Sequence, residues 1–236
     1  DQVRTVKLVE IQQIALEKHL PVLVGVEMSA TWHGEMTDLL CYGFEPGPGA
    51  LDDLARDLMH RQQENTRRVI EKIGPQGYPL PPETVADILE TPSSRQSQAL
   101  VDRLRDQGYD LGDPALQSII MDAGLAIETS QPVEIVTAAH QSGAVCLLAH
   151  PGHKEGFVTY SEALLDEFRQ EAPIDGLEVY HPLHTPEMSV MYRDYAERHH
   201  LLISSGSDSH KPEKLPIKYK AELCDDLLEQ LGIKIK

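Results

Sequence analysis

The chain has 236 residues, 41% hydrophobic and 25% charged, which suits one large α/β domain or a barrel carrying an inserted subdomain. Its formal charge of −17, from 38 acidic and 21 basic residues, argues against broad electrostatic binding to long duplex nucleic acid. No apolar run approaches the roughly 20 residues that span a bilayer, so no membrane partner is expected. The cysteines Cys41, Cys146 and Cys224 lack metal-type spacing, and a reducing, cytoplasmic setting is expected.

The chain begins at Asp1 and enters a helical pattern almost at once. Val6, Val9, Ile11, Ile14 and Ala15 suit one face of a helix over residues 3–18. A parallel α/β unit has a strand before such a helix, so further residues are expected ahead of Asp1 in the natural protein. Pro21-Val22-Leu23-Val24-Gly25-Val26-Glu27 reads as a buried strand ending in an acid, and residues 37–44 as a second short strand. Pro46-Gly47-Pro48-Gly49 then interrupts the chain. From about 50 to 128 the pattern turns helical, with segments at 50–73, 82–90, 94–107 and 114–124. Alternation returns after 130. A helix at 131–142 leads to a strand at 144–149, one at 161–171 to a strand at 176–180, and one at 186–199 to a strand at 201–204, before a last helix at 221–231. Such repeated units predict a parallel sheet or barrel.

The chemistry collects where these strands end. Glu27, His150 and His181 close three of them, and Asp208 with His210 follows the last. Active-site groups of α/β barrels gather at the C-terminal ends of strands, and ligands of open sheets bind beyond the same ends. Imidazoles and carboxylates brought together there suit Zn, Mn or Fe.

Four segments carry a family resemblance: Gly25-Val26-Glu27-Met28-Ser29, Leu148-Ala149-His150-Pro151-Gly152, Gly176-Leu177-Glu178-Val179-Tyr180-His181-Pro182 and Gly206-Ser207-Asp208-Ser209-His210. In order and approximate spacing they resemble the PHP (polymerase and histidinol phosphatase) phosphoesterases over nearly the whole chain. The branch most like it contains small-nucleotide phosphatases and the 5′-to-3′ exoribonuclease that trims short RNAs. The resemblance implies an α/β fold, a distorted (β/α)7-type barrel formed by residues 1–48 and 129–236, with a helical insert at 49–128. It implies Glu27, His150, Asp208 and His210 as metal ligands and up to three divalent ions, Mn first and Fe or Zn as alternatives. The implied reaction is hydrolysis of a phosphate ester on a small nucleotide or short 5′-phosphorylated RNA, by water that the metals activate.

The chain departs from that pattern at several positions. The opening His-x-His motif and the Asp-His pair of the next strand are absent, although Asp1 matches the last acid of a Thr-Asp-His-Asp segment. Asp38 stands where a histidine ligand is expected; oxygen from Asp38 still suits Mn or Fe. His153 stands where an arginine usually follows Ala-His-Pro-Gly, and Ser94-Arg95-Gln96-Ser97 replaces a Ser-Arg-x-His pattern. Arg95, His153 and His181 are the candidate contacts to a substrate phosphate, Arg95 through its guanidinium fork. Arg61 and Arg68 lie near one face of the long helix at 50–73, where a solvated face is expected. Two other functions are carried forward: a PHP fold with decayed metal chemistry serving as a binding or regulatory module, and a single-metal amidohydrolase releasing ammonia or amine.

Overall fold

A computed structural model of the chain describes residues 2–153, 156–209 and 214–234, with side chains from residue 10 onward. His210 lies outside the described residues. In chain order the elements are α1 (Gln2–Glu17), β1 (Gly25–Trp32), β2 (Glu35–Tyr42), α2 (Ala50–Ile73), α3 (Pro82–Glu90), α4 (Ser93–Asp106), α5 (Pro114–Ala123), α6 (Pro132–Gln141), β3 (Val145–Leu148), α7 (Glu162–Glu171), β4 (Gly176–Tyr180), α8 (Pro186–Arg198), β5 (Leu202–Ser205) and α9 (Asp225–Gln230). They form two compact units, Asp1–Asp52 with Ser130–Lys236, and Asp53–Thr129.

The first unit is built on one five-stranded sheet in the order β1-β2-β3-β4-β5. β3, β4 and β5 are parallel, whereas β1 and β2 form an antiparallel hairpin whose second strand runs against β3. The mixed α/β class is as expected. The seven-stranded closure of a barrel is not shown: among the described residues β1 and β5 are the two edges.

The start of this unit differs from the sequence expectation. The strand expected over 21–27 runs Gly25–Trp32 instead, so Glu27 sits near its beginning rather than its end. Trp32 pairs with Glu35 across a two-residue turn, His33-Gly34, in which both residues have positive φ (50° and 87°). That is the signature of a type I′ turn, whose twist matches that of the paired strands. α1 forms where predicted, but Ile11 and Ile14 are about half exposed and Ala15 alone of the predicted face, among the side chains described, is buried.

The parallel strands hold the core. β3 is buried at every position and β4 at all but its last, as expected of parallel strands covered on both faces. Leu147, Leu148, Leu177 and Val179 are fully buried, and so are Leu165 and Phe168 of α7 and Tyr192 and Tyr195 of α8. Each such side chain contributes about 2 kcal/mol by leaving water. The helices that precede these strands start on defined caps. Pro132 and Pro186 open α6 and α8, Ser161 accepts the Leu164 amide, and Thr185 accepts the Met188 amide.

The second unit packs α3, α4 and α5 against α2 around Val69, Ile73, Ile88, Leu100, Leu104 and Ala123. Its buried face on α2 is partly polar. Gln62 accepts the Glu128 amide at 2.7 Å and donates to the Ala126 carbonyl at 3.1 Å. Asn65 donates to the Gly124 carbonyl at 2.9 Å. These amides thus satisfy backbone groups of the segment after α5 that have no strand to pair with. Arg61 and Arg68 have partners as well: Arg61 donates to the Thr129 carbonyl, and Arg68 to that of Ala123.

Candidate metal centre

The sheet's mixed topology brings Glu27, Asp38 and His150 together. Ser29 opposes Asp38 in the β1–β2 register, so Glu27 and Asp38 are diagonal neighbours on one face. The Ala149 amide donates to the Asp38 carbonyl at 2.9 Å, which extends the β2–β3 pairing one step past Leu148 and leaves His150 beside that pair. His150 Nε2 lies 3.1 Å from Glu27 Oε1 and 3.4 Å from Asp38 Oδ2. One ligand atom from each of the three residues lies within 4.8 Å of the other two.

The electrostatics are those of two carboxylates sharing one imidazole. Burial disfavours charge on His150, but hydrogen bonding to Asp38 and Glu27, and their charges, outweigh it and raise the imidazole to about 10. Asp38 Oδ1 is buried without a hydrogen-bond partner among the described residues. A buried carboxylate oxygen left over in this way fits a cation in a set of oxygen and nitrogen donors.

The turn carrying His150 is held on all sides. His150 has positive φ (25°), a conformation costly for a side-chain-bearing residue. Its amide donates to Glu178 Oε2 at 2.8 Å. The Pro151 carbonyl accepts from the Tyr192 hydroxyl at 2.8 Å and from the Tyr160 amide at 2.9 Å. The Gly152 amide donates to His184 Nε2 at 3.1 Å, while His184 Nδ1 donates to the Val179 carbonyl at 2.9 Å. His184 is therefore a neutral brace between this turn and β4. A side chain at position 152 would meet its ring at 2.7 Å.

Of the other predicted site residues, His181, His153 and Asp208 belong to the same unit as this group. His181 directly follows β4 and is buried; its Nδ1 accepts the Leu183 amide at 3.3 Å, so the neutral ring carries its proton on Nε2, which has no partner among the described residues. Burial, with the positive charge of His150, lowers His181 to about 4. The rings of His153 and His181 each stand 5.4 Å from that of His150, and His153 Nδ1 is also buried without a partner among the described residues. Asp208 comes after β5 with positive φ (43°), and its charge acts on both Glu178 and His181. Arg95 is an exposed residue of the first turn of α4, in the second unit. His33 does not join Glu27 and Asp38. It lies in the β1–β2 turn and bonds Glu171 at 3.0 Å, with Glu167 nearby, in an exposed group.

Glu178 is the site residue that sequence reasoning missed. It sits inside an otherwise apolar strand, is 4% exposed, and burial pushes its carboxyl up to about 7. Its one signal in the sequence was a lone acid in the run Gly176–Tyr180.

No family model matches the chain. Two curated proteins are similar over most of its length. A phosphoribosyl 1,2-cyclic phosphate 1,2-diphosphodiesterase of Eggerthella lenta is 24% identical over 196 residues, covering 80% of this chain and 72% of that protein. A 3′,5′-nucleoside bisphosphate phosphatase of Chromobacterium violaceum is 23% identical over 209 residues, covering 87% and 73%. Among solved structures, a candidate metal-dependent phosphoesterase from Bifidobacterium adolescentis aligns at a TM-score of 0.69 and 22% identity, over 95% of this chain and 80% of that one. An amidohydrolase from Chromobacterium violaceum, with bound sulfate and no metal, aligns at 0.68 and 23%, over 95% and 81%. The shared fold is that of these two proteins.

Proposed function

We propose that the chain is a metal-dependent phosphoesterase acting on a small phosphorylated nucleotide, with Glu27, Asp38 and His150 holding one divalent ion. The observation that carries this reading is the group itself: two carboxylates and an imidazole within 4.8 Å of one another, Asp38 and His150 buried and Asp38 Oδ1 left over. Asp208, together with His210, is the proposed source of ligands for any neighbouring ion. Mn is the proposed metal, because hard carboxylate oxygens predominate in this set.

When bound, the metal lowers the pKa of water and offsets charge on the attacked phosphoryl oxygens. The chain's own residues do the rest. His181 presents a buried Nε2–H that donates to a phosphate oxygen, and its lowered pKa keeps it a neutral donor at pH 7. His153, whose ring stands 5.4 Å from that of His150, is the second proposed phosphate contact. Both phosphoesterase relatives act on small phosphorylated compounds, and the charge of −17 disfavours long polyanions, so a nucleotide or a short 5′-phosphorylated RNA is the proposed substrate class.

The test is phosphate release by the purified chain with Mn(II), from a 3′,5′-nucleoside bisphosphate and from a cyclic phosphodiester. Mn-dependent release that falls by about a hundredfold or more in Asp38→Ala and His150→Ala is expected. Release of ammonia from an amide substrate with no phosphate produced, or variants as active as wild type, would reject the reading.

A further inference from the structure

Glu178 joins the ends of two strands from inside a third. It belongs to β4, its Oε2 accepts the backbone amide of His150 just beyond β3, and its Oε1 lies against Gly206 just beyond β5. A Cβ at position 206 would stand 1.9 Å from that oxygen, so a side chain there would displace the Glu178 carboxylate from its present place. The chain is shaped to permit this approach. The pairing of β4 with β5 shifts register between Glu178 and Tyr180, and the Gly206 amide then donates to the Tyr180 carbonyl at 3.0 Å. Such an irregularity bends a strand and re-aims the residues beyond it, here the turn to Asp208.

We infer that Glu178 is a positioning residue that fixes His150 through its backbone amide and spaces the Asp208 turn, without itself holding the metal. This rests on the metal-centre reading for its consequence, though not for its geometry. Two features support the role. The His150 backbone is in a costly conformation that needs an external partner, and Glu178 supplies one to its amide. Glu178 is also buried, and it is not one of the group of Glu27, Asp38 and His150. Partners of this kind orient ligands, and losing one typically weakens metal binding about ten- to a hundredfold.

The experiment compares wild type with Glu178→Gln, Glu178→Ala, Gly206→Ala and the Glu178→Ala/Gly206→Ala double variant. It reads hydrogen exchange of the His150 amide in metal-free protein, and Mn(II) affinity by electron paramagnetic resonance. Glu178→Gln keeps an acceptor oxygen, so it should preserve both the protected amide and near-wild-type affinity. Glu178→Ala and Gly206→Ala should each speed exchange at His150 by about tenfold or more and weaken Mn(II) binding by about ten- to a hundredfold. The double variant should be no worse than Glu178→Ala, because both changes act through one contact. If Glu178→Ala does not fold, Gly206→Ala carries the same test. Wild-type exchange at His150 in Glu178→Ala or Gly206→Ala would overturn the proposal, as would a Glu178→Gln that loses Mn(II) as completely as Glu178→Ala. A wild type that binds no Mn(II), yet shows the exchange pattern above, would reject the metal reading and leave the positioning role standing.

Discussion

Asp38 Oδ2 lies 3.4 Å from His150 Nε2, and both side chains are only 10% exposed. The Glu27 side chain, by contrast, is 41% exposed although its contact with His150 is shorter. Charge is screened less where water is excluded, so Asp38 is the stronger electrostatic partner of the imidazole despite the longer distance.

The identity of residue 38 should therefore set metal preference. Asp38→His exchanges a hard oxygen donor for an imidazole, the ligand type that the PHP pattern carries there. Competition binding should show Zn(II) gaining on Mn(II) by about tenfold or more. An unchanged Zn/Mn ratio would mean that residue 38 does not touch the ion.

The same pair predicts a pH dependence in metal-free protein. His150 is raised from 6.5 to about 10 in the fold. A raised value means that the interaction stabilises the fold fully below pH 6.5, and that this contribution is lost as pH rises toward 10. The urea midpoint of metal-free protein should fall between about pH 7.5 and pH 10, and Asp38→Asn should flatten that fall. A wild-type midpoint that is level across this range would contradict the assignment.

Tyr192 tests how firmly the His150 turn is held. Its hydroxyl contacts the Pro151 carbonyl and the Tyr160 carbonyl, at 2.8 and 2.9 Å. Tyr192→Phe should cost about 1–2 kcal/mol, since the Pro151 carbonyl keeps the Tyr160 amide as a second donor. Urea denaturation measures this, and no loss would mean that the hydroxyl does not brace the turn.

In the second unit, Gln62→Leu removes both bonds to the segment after α5: the half-buried Glu128 amide loses its side-chain acceptor, while the Ala126 carbonyl keeps the Ser97 hydroxyl as a donor. A loss of about 1–2 kcal/mol is expected in urea denaturation. A Gln62→Leu variant as stable as wild type would show that the amide network is not needed.

Much of the helical structure was legible in the sequence because its punctuation is strong. Pro82, Pro114, Pro132 and Pro186 each open a helix, Pro46-Gly47-Pro48-Gly49 separates β2 from α2, and Gly74-Pro75-Gln76-Gly77 follows the end of α2. The β1–β2 hairpin was not legible. Its turn is His33-Gly34 rather than the Asn-Gly or Asp-Gly that usually announces positive φ at both positions, and the apolar run at 21–24 drew the strand too early. About half of Val22 is exposed, so that run is not core at all. The polar part of the buried face of α2 was hidden for another reason: Gln62, Asn65 and Thr66 are buried but continue no apolar pattern, and Gln62 and Asn65 serve backbone groups that no strand satisfies. At the candidate site, His150, His181 and Asp208 stood out because they come just after strand ends. Glu178 did not, because its role depends on Gly206, a distant residue that only the register of β4 against β5 brings into contact.

The most direct test of the central claim is Mn(II) binding to the purified chain, titrated by electron paramagnetic resonance alongside Asp38→Ala and His150→Ala. A bound ion held by Glu27, Asp38 and His150 is expected in wild type, weakened by about ten- to a hundredfold or more in each variant while both remain folded. Wild-type affinity in either variant would contradict it.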